Sequence, residues 1–306
     1  MKCKKCKNPA IIFTNNSFLC KEHFNDYFEK KLKRLVKKHN LITKKDKLAL
    51  AVSGGKDSLT LLFTISKLYP ENEKIVININ EGIEDYREHT IDVLKEFSKK
   101  LNIPYISVSF KEEFGKTLDQ IVKKIDTYPC SICGVLRRYL LNKTARKLDC
   151  TKIATGHNLD DEAQSTLMNI FNSDIERLER MGFESGIVRG EKFVRRIKPL
   201  RFHTEKEIVT YFLSNNLKTS TKECPYSKKS FRLYVRTALY EYERKHPGTN
   251  KNIINFYDKF IITALQKKQK TNTKLNECQQ CKEHTSTKIC KVCELIKILG
   301  LKNGTN

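Results

Sequence analysis

The chain has 306 residues, 39% hydrophobic and 31% charged, a length that accommodates one large domain with appendages and a substantial core. Its 59 Lys and Arg stand against 35 Asp and Glu, and the net charge of +24 points to a polyanionic partner, most simply a nucleic acid. No apolar run approaches membrane-spanning length and the first residues carry no apolar signal core, so the reading is a cytoplasmic protein without a membrane partner. In that compartment the 11 cysteines read as metal ligands or reactive thiols rather than as disulfides.

The first group of cysteines is Cys3, Cys6 and Cys20, joined by His23. Two ligand pairs, each from a tight turn, flank a strand-like run at 10–13, the pattern of a tetrahedral zinc site. So small a module has little core, and bound metal would supply its folding energy. Residues 25–39 follow as a helix. Phe28, Leu32, Leu35 and Val36 share one face, and Lys30, Lys31, Lys33, Arg34, Lys37 and Lys38 crowd the other. That basic face suits solvent or phosphate.

Leu48 to Val52 is a short apolar run that reads as a buried strand. It enters Ser53-Gly54-Gly55-Lys56-Asp57-Ser58, and an apolar helical pattern begins at Leu59. A Gly-rich turn between a strand and a helix N-terminus aims backbone N–H groups at an anion, with the helix dipole behind them. The spacing is not that of a Walker loop. The hexamer resembles the PP-loop of the ATP pyrophosphatases, enzymes that cleave ATP between its α and β phosphates. The ligand expected at this turn is a polyphosphate.

Strands are expected at 75–79 and 105–110 with a helix at 86–101 between them, which implies a parallel sheet with right-handed crossovers. Ligands on such sheets bind beyond the carboxyl ends of the strands, so the loop Asn80-Glu81-Gly82-Ile83 is expected to frame the adenosine. Cys130 and Cys133 then open a helix, where the dipole favours thiolate, and Arg137 and Arg138 lie one turn in as phosphate ligands. Half a zinc site, a redox dithiol, a persulfide-forming cysteine and iron–sulfur ligands all fit that pair. A strand at 152–155 leads into Gly156-His157-Asn158-Leu159-Asp160-Asp161. One of the two aspartates is expected to cap the next helix, and Asp161 to hold Mg²⁺ against ATP phosphates. His157 suits a loop-packing role.

The segment Arg195-Arg196-Ile197-Lys198-Pro199-Leu200-Arg201 reads as phosphate-facing, and Thr204 with Glu207 as a capping box. Cys224 stands alone before Pro225. Helices are expected at 230–245, carrying Arg232, Arg236 and Arg244, and at 251–268, with basic, Tyr-bearing faces toward RNA; residues 266–274 read as a linker. Cys278, Cys281, Cys290 and Cys293 form a second zinc signature, all thiolate. Three cysteines, Cys130, Cys133 and Cys224, are left one short of a closed four-thiolate site. Cys150 has no assigned role.

Together the hexamer, Cys130 and Cys133, the Gly156–Asp161 loop, Cys224 and the paired cysteines near either end resemble the tRNA 2-thiolation enzymes of the TtcA/TtuA superfamily, on its archaeal TtuA/NcsA side, over nearly the whole chain. The resemblance implies an α/β PP-loop ATP pyrophosphatase domain (adenine nucleotide alpha hydrolase-like) flanked by zinc modules. The expected divisions are 1–25 zinc finger, 26–46 basic linker helix, 47–220 catalytic domain, 221–270 RNA-facing helices and 275–306 zinc finger. It implies ATP-dependent adenylation of a uridine C2 oxygen, then sulfur insertion to give 2-thiouridine. ATP ligands would be Ala51, Ser53, Gly54, Gly55, Lys56, Asp57, Ser58, Asn80, Arg137, Gly156 and Asp161, with Mg²⁺. Cys130, Cys133 and Cys224 would hold a [4Fe–4S] cluster, and Lys56, Asp161, Cys130 and Cys224 would act in the chemistry. The alternatives are a persulfide–disulfide relay on the same cysteines and another PP-loop ligase. The implied partners are tRNA, a sulfur donor (sulfide or a ubiquitin-like thiocarboxylate protein) and a second copy in a homodimer. An Asn-rich, Pro-poor composition leans to wobble U34 over U54.

Overall fold

A computed structural model describes residues 1–123, 128–185, 192–219, 224–261, 263 and 276–302. The linker expected at 266–274 lies outside these residues, as does the end of the helix expected to 268. A hairpin of β1 (Ile12–Thr14) and β2 (Ser17–Leu19) replaces the single run expected at 10–13. It turns on Asn15 and Asn16, both at positive φ (48° and 54°), which Asn tolerates better than most residues.

Helix α1 (Lys21–Lys38) starts directly after Cys20, so His23 lies in its first turn. Its buried stripe is Phe24, Phe28, Leu32 and Val36, one helical repeat earlier than expected, while Leu35 is only partly buried. That stripe shares a core with Leu48 and Leu50 of the sheet, and Phe28 stacks on Tyr211 at 4.1 Å. Burial of each such side chain contributes roughly 1.5–3 kcal/mol. The helix is therefore part of the sheet's packing rather than a free connector.

The central sheet contains β3 (Leu48–Ala51), β4 (Lys74–Asn80), β5 (Tyr105–Ser109), β6 (Lys152–Thr155), β7 (Glu184–Ser185) and β8 (Arg195–Ile197). The spatial order is β5-β4-β3-β6-β8-β7, and only the last pairing is antiparallel. The chain leaves β3 toward β4 on one side and returns to β6 on the other. The crevice beyond the ends of β3 and β6 is therefore a topological switch point. On one face lie α1, α2 (Lys56–Leu68), the buried Leu94 of α3 (Arg87–Lys100), and later Ile208, Tyr211 and Phe212. On the other lie α4 (Phe110–Phe114), α5 (Leu118–Val122) and α6 (Pro129–Lys147). Helix α7 (Leu159–Phe171) follows β6, then α8 (Ile175–Glu179), α9 (Glu205–Ser214), α10 (Phe231–Lys245) and α11 (Thr249–Phe256). Strands β9 (Asn276–Glu277) and β10 (His284–Thr285) and a last helix, Lys291–Leu299, complete the chain.

In the basic segment 195–201, expected to face phosphate, Lys198 and Arg201 turn instead to internal carboxylates. Arg195 to Ile197 is strand β8. Arg201 is fully buried: it binds Asp258 through two nitrogens at 2.8 Å each, donates to Glu162 at 3.1 Å, and lies against the rings of Phe183, Phe202 and Tyr257. Lys198 is also buried and reaches the same Glu162 at 2.7 Å. Burial works against the Glu162 carboxylate, but Lys198 and Arg201 outweigh it and hold its pKa below the usual range. Replacing Glu162 with Ala leaves two buried cations short of a partner, and chemical denaturation should show a loss of about 3–5 kcal/mol. Arg195→Ala, which breaks the exposed pair with Glu184, should cost no more than about 1 kcal/mol in the same titration.

Candidate active site and metal centres

A cavity of ≈ 430 Å³ opens beyond the carboxyl ends of β3 and β6. Its floor is the Gly-rich turn (Ser53, Gly55, Asp57, Ser58) with Ala51 and Val52, and the Thr155, Gly156, His157 and Asp161 loop stands beside it. Ile77, Ile79, Leu141 and Met181 give it apolar walls. Six basic side chains (Arg87, Arg137, Arg138, Arg196, Lys198, Arg232) face three carboxylates (Asp57, Asp161, Glu162). Such an excess suits an anionic ligand with an apolar part.

The two loops fit each other closely. Gly54 takes φ +89°, and a Cβ there would stand 2.8 Å from Thr90 Cβ on α3. A Cβ on Gly156 would stand 3.0 Å from the Asp57 carbonyl and the Ser58 nitrogen. Both positions thus admit only glycine without displacement. Ser58 Oγ donates to the Gly55 carbonyl at 2.9 Å, and Asn158 Nδ2 donates to Asp57 Oδ1 at 2.9 Å.

Asn158 caps α7 by accepting from the Asp161 N–H at 2.9 Å, and Asp161 returns the bond to the Asn158 N–H at 3.3 Å. The cap is therefore Asn158, and Asp161 completes the box while facing the cavity. Asp160 points elsewhere, accepting from the Glu205 N–H at 2.7 Å and from Asn250 at 2.9 Å. Burial raises the Asp161 pKa above the ordinary carboxyl range. Burial, with Asp161 adding repulsion, also raises that of Asp57 against the pull of Lys56. Two crowded carboxylates of this kind beside an anion site suit a divalent cation. His157 bonds Thr155 Oγ1 through Nδ1 at 2.9 Å, a loop contact on the cavity wall.

The internal cysteines lie beside this cavity. Cys130 and Cys133 sit in the first turn and a half of α6, and Cys224 is the N-cap of a 3₁₀ turn, Pro225–Lys229. Cys133, Cys224 and Tyr226 pack against one apolar cluster, and Cys130 Sγ lies 3.8 Å from the Tyr226 carbonyl. All three thiols are free. Glu81 and Arg87 lie near Cys133 and Cys224 on one side and reach the Gly-rich turn on the other. Arg87 donates to both Glu81 oxygens and, through Nη1, to the Ser53 carbonyl at 2.8 Å.

Comparison with known proteins agrees with this geometry. A PP-loop domain model matches residues 24–243. The tRNA 2-thiolation protein NcsA of Haloferax volcanii is 33% identical over 97% of this chain and 98% of its own length. The tRNA-5-methyluridine(54) 2-sulfurtransferase of Pyrococcus horikoshii is 36% identical over 100% and 96%. The structure of the U34-tRNA thiolase NcsA of Methanococcus maripaludis, with its [4Fe-4S] cluster, superposes with a TM-score of 0.84 at 35% identity, covering 98% of this chain and 96% of that one. The chain belongs to the PP-loop tRNA 2-thiolation family, and it is an enzyme of the sulfurtransferase type.

Within that family frame most expected site residues converge. Ala51, Ser53, Gly55, Asp57, Ser58, Arg137, Gly156 and Asp161 line the cavity, and Gly54 shapes its floor. Two are placed otherwise. Lys56 does not line the cavity; its Nζ pairs with Glu205 at 2.8 Å and Asp57 at 3.1 Å. Asn80 accepts from the Gly82 N–H at 2.9 Å and so stabilises its own turn, while Ile77 and Ile79 supply the wall there. The RNA-facing role read for Arg232 is also altered, since it turns inward to Asp161 at 3.3 Å and Ser165 at 2.7 Å. Arg87 was missed, and Glu81, named within the loop expected to frame the adenosine, instead pairs with it. The available signal was a cation at a helix N-terminus, where the dipole disfavours it and a buried partner must compensate.

The donor sets suit their implied metals. A tetrahedral ion with bonds of ~2.0–2.3 Å separates its ligand atoms by roughly 3.3–3.8 Å. Cys3 to His23 is 3.6 Å, Cys6 to Cys20 3.6 Å and Cys20 to His23 3.3 Å. Cys281 to Cys290 is 3.6 Å, within a group completed by Cys278 and Cys293. Cys130, Cys133 and Cys224 do not form such a tight group. Cys150 is buried in the core, where burial pushes its thiol up to about 11.

Cys20→Ser should lower the metal content by about one ion per chain in elemental analysis, while the C-terminal site keeps its own. Gly156→Ala should leave the far-ultraviolet circular dichroism unchanged and weaken ATP binding by at least ~10-fold in calorimetry, because the added methyl presses on the turn that cradles the anion.

Proposed function

We propose that this chain activates the C2 oxygen of a tRNA uridine with ATP and replaces it with sulfur. The observation that carries the reading is the placement of three free thiols one buried ion pair away from a Gly-rich nucleotide cavity. Uridine O2 attacks the α-phosphorus of ATP, and pyrophosphate leaves. Hydrosulfide adds at C2 and AMP departs with the oxygen, giving 2-thiouridine and one proton. The adenylate is needed because an amide-like carbonyl oxygen is a poor leaving group. The turn's N–H groups stabilise the charge on the phosphates, and Lys56 joins them by exchanging Glu205 for the nucleotide. Asp161 with Asp57 would hold Mg²⁺. Arg137, half exposed and 3.4 Å from Glu81, bridges from the thiols to the nucleotide. Cys130, Cys133 and Cys224 would hold a [4Fe–4S] cluster, which supplies an iron free of protein ligands where sulfide can bind.

U34 is favoured over U54 as the target. The composition supports this, while relatives of like identity are named for either position. Two zinc ions would complete the Cys3–His23 and Cys278–Cys293 modules. The enzyme acts in the cytoplasm, a reading supported by relatives from Caenorhabditis elegans and Arabidopsis thaliana that are named cytoplasmic tRNA 2-thiolation protein 1. It acts as a homodimer, to be tested by light scattering, and draws sulfur from sulfide or a thiocarboxylate protein.

Cys224→Ala, purified anaerobically, should bind ATP like the parent yet produce no 2-thiouridine by nucleoside mass spectrometry. A PP-loop ligase would tolerate that change. Full thiolation by protein free of iron would instead establish a persulfide relay. Mass mapping of the thiolated fragment reads position 34 or 54 directly.

A further inference from the structure

The cavity has a second cationic end that the nucleotide does not account for. Arg138 on α6 and Arg196 on β8 both line it, with Leu141 and Met181. β8 stands two strands away from β3, across β6, which is roughly 10 Å of sheet. Arg196 pairs in register with Ile153, and Ile153 with Ala49, so it rises two residues short of the strand end that carries the turn. Its neighbour Ile197 points into the opposite core, which leaves Arg196 on the face covered by α6. Arg138 folds back over Gly134, the residue after Cys133; a Cβ on Gly134 would lie 3.1 Å from Arg138 Nη1. This guanidinium therefore borders both the cavity and the cysteine group.

The other cavity arginines are paired: Arg87 and Arg137 with Glu81, and Arg232 with Asp161. Arg138 and Arg196 have no carboxylate or hydrogen-bond partner among the described residues. Arg138 is exposed as a residue, yet desolvation of its guanidinium, then repulsion from Arg196, Arg137 and Arg177, pushes it down to about 10. Two crowded cations without a counterion favour a bound anion, and guanidinium forks match phosphate oxygens.

We infer that Arg138 and Arg196 form a second anion subsite, which takes a phosphodiester of the substrate RNA strand and holds the target nucleotide between the Gly-rich turn and the thiols. The inference rests on the thiolase reading. An ATP whose phosphates lie on the turn does not place them two strands away, whereas the sugar and base attached to a diester suit the adjoining Leu141 and Met181.

The test is binding of a tRNA transcript and of ATP to Arg138→Met, Arg196→Met and Arg196→Lys, with thermal melting as the check on folding. Each Met variant should weaken tRNA binding by ~3–10-fold at ~150 mM salt and flatten the log–log salt dependence by roughly 0.7–0.9, one phosphate's worth. Arg196→Lys should keep the salt slope, and ATP affinity should stay within about twofold in all three. A loss of ATP affinity with tRNA binding unchanged would assign the pair to the nucleotide and overturn the proposal, as would an unaltered tRNA affinity and salt slope. If Arg138→Met does not fold, the two Arg196 variants decide by the same criteria. Should the parent protein bind and thiolate no tRNA, the thiolase reading itself fails; should it thiolate normally while the variants bind tRNA normally, only the subsite fails.

Discussion

Gly156 lies against the backbone of Asp57 and Ser58, and that contact depends on β3 and β6 being neighbours in a parallel sheet. A parallel sheet puts the carboxyl ends of its strands on one edge, and the change of direction at β3 parts the crossovers so that a crevice opens there. Two loops separated by about a hundred residues of chain meet in that crevice. The Asn158–Asp57 hydrogen bond then ties the cap of α7 to the start of α2. This junction holds the Gly-rich turn and the Asp161 loop in place.

Buried charge reinforces it on either side. On the β4 side, Glu81 and Arg87 bind each other, and Arg87 also holds the Ser53 carbonyl. On the β8 side, Glu162 is shared between Lys198 and Arg201. Such pairs gain little net stability over apolar replacements, but removal of one partner is costly because the other stays buried. Their effect is positional, since an ion pair with several fixed hydrogen bonds admits few alternative arrangements.

The cysteine modules near either end are built into the same frame. Glu207 accepts from Thr14 of the hairpin at 2.9 Å and pairs with Lys31 at 2.7 Å, while it also completes the capping box of α9 with Thr204. The next turn of that helix brings Tyr211 against Phe28. The C-terminal module packs Val292, Leu295 and Ile296 into the α6 core, and Lys116 Nζ donates to the Leu299 and Gly300 carbonyls at 2.9 Å each. A cysteine-rich module therefore gives each sheet face part of its cover.

Local signals in the chain determined the strand, turn and helix around residues 48–68, because a Gly-rich turn between an apolar run and an amphipathic pattern has few other solutions. They also determined the two four-ligand groups, since paired spacings chelate from adjacent turns. The order of the helices and parallel strands was legible for the same reason. Only the tertiary structure decided the fate of the charges. Arg195 to Arg201 has the composition of a phosphate-binding loop, yet Glu162 and Asp258, both remote in sequence, draw Lys198 and Arg201 inward. Arg232 and Lys56 likewise turn toward carboxylates that no local pattern places beside them. Charge pairing acts over a few ångströms of space and is indifferent to separation along the chain, so the sequence showed which residues carry charge and the fold decided which of them are left free for a ligand.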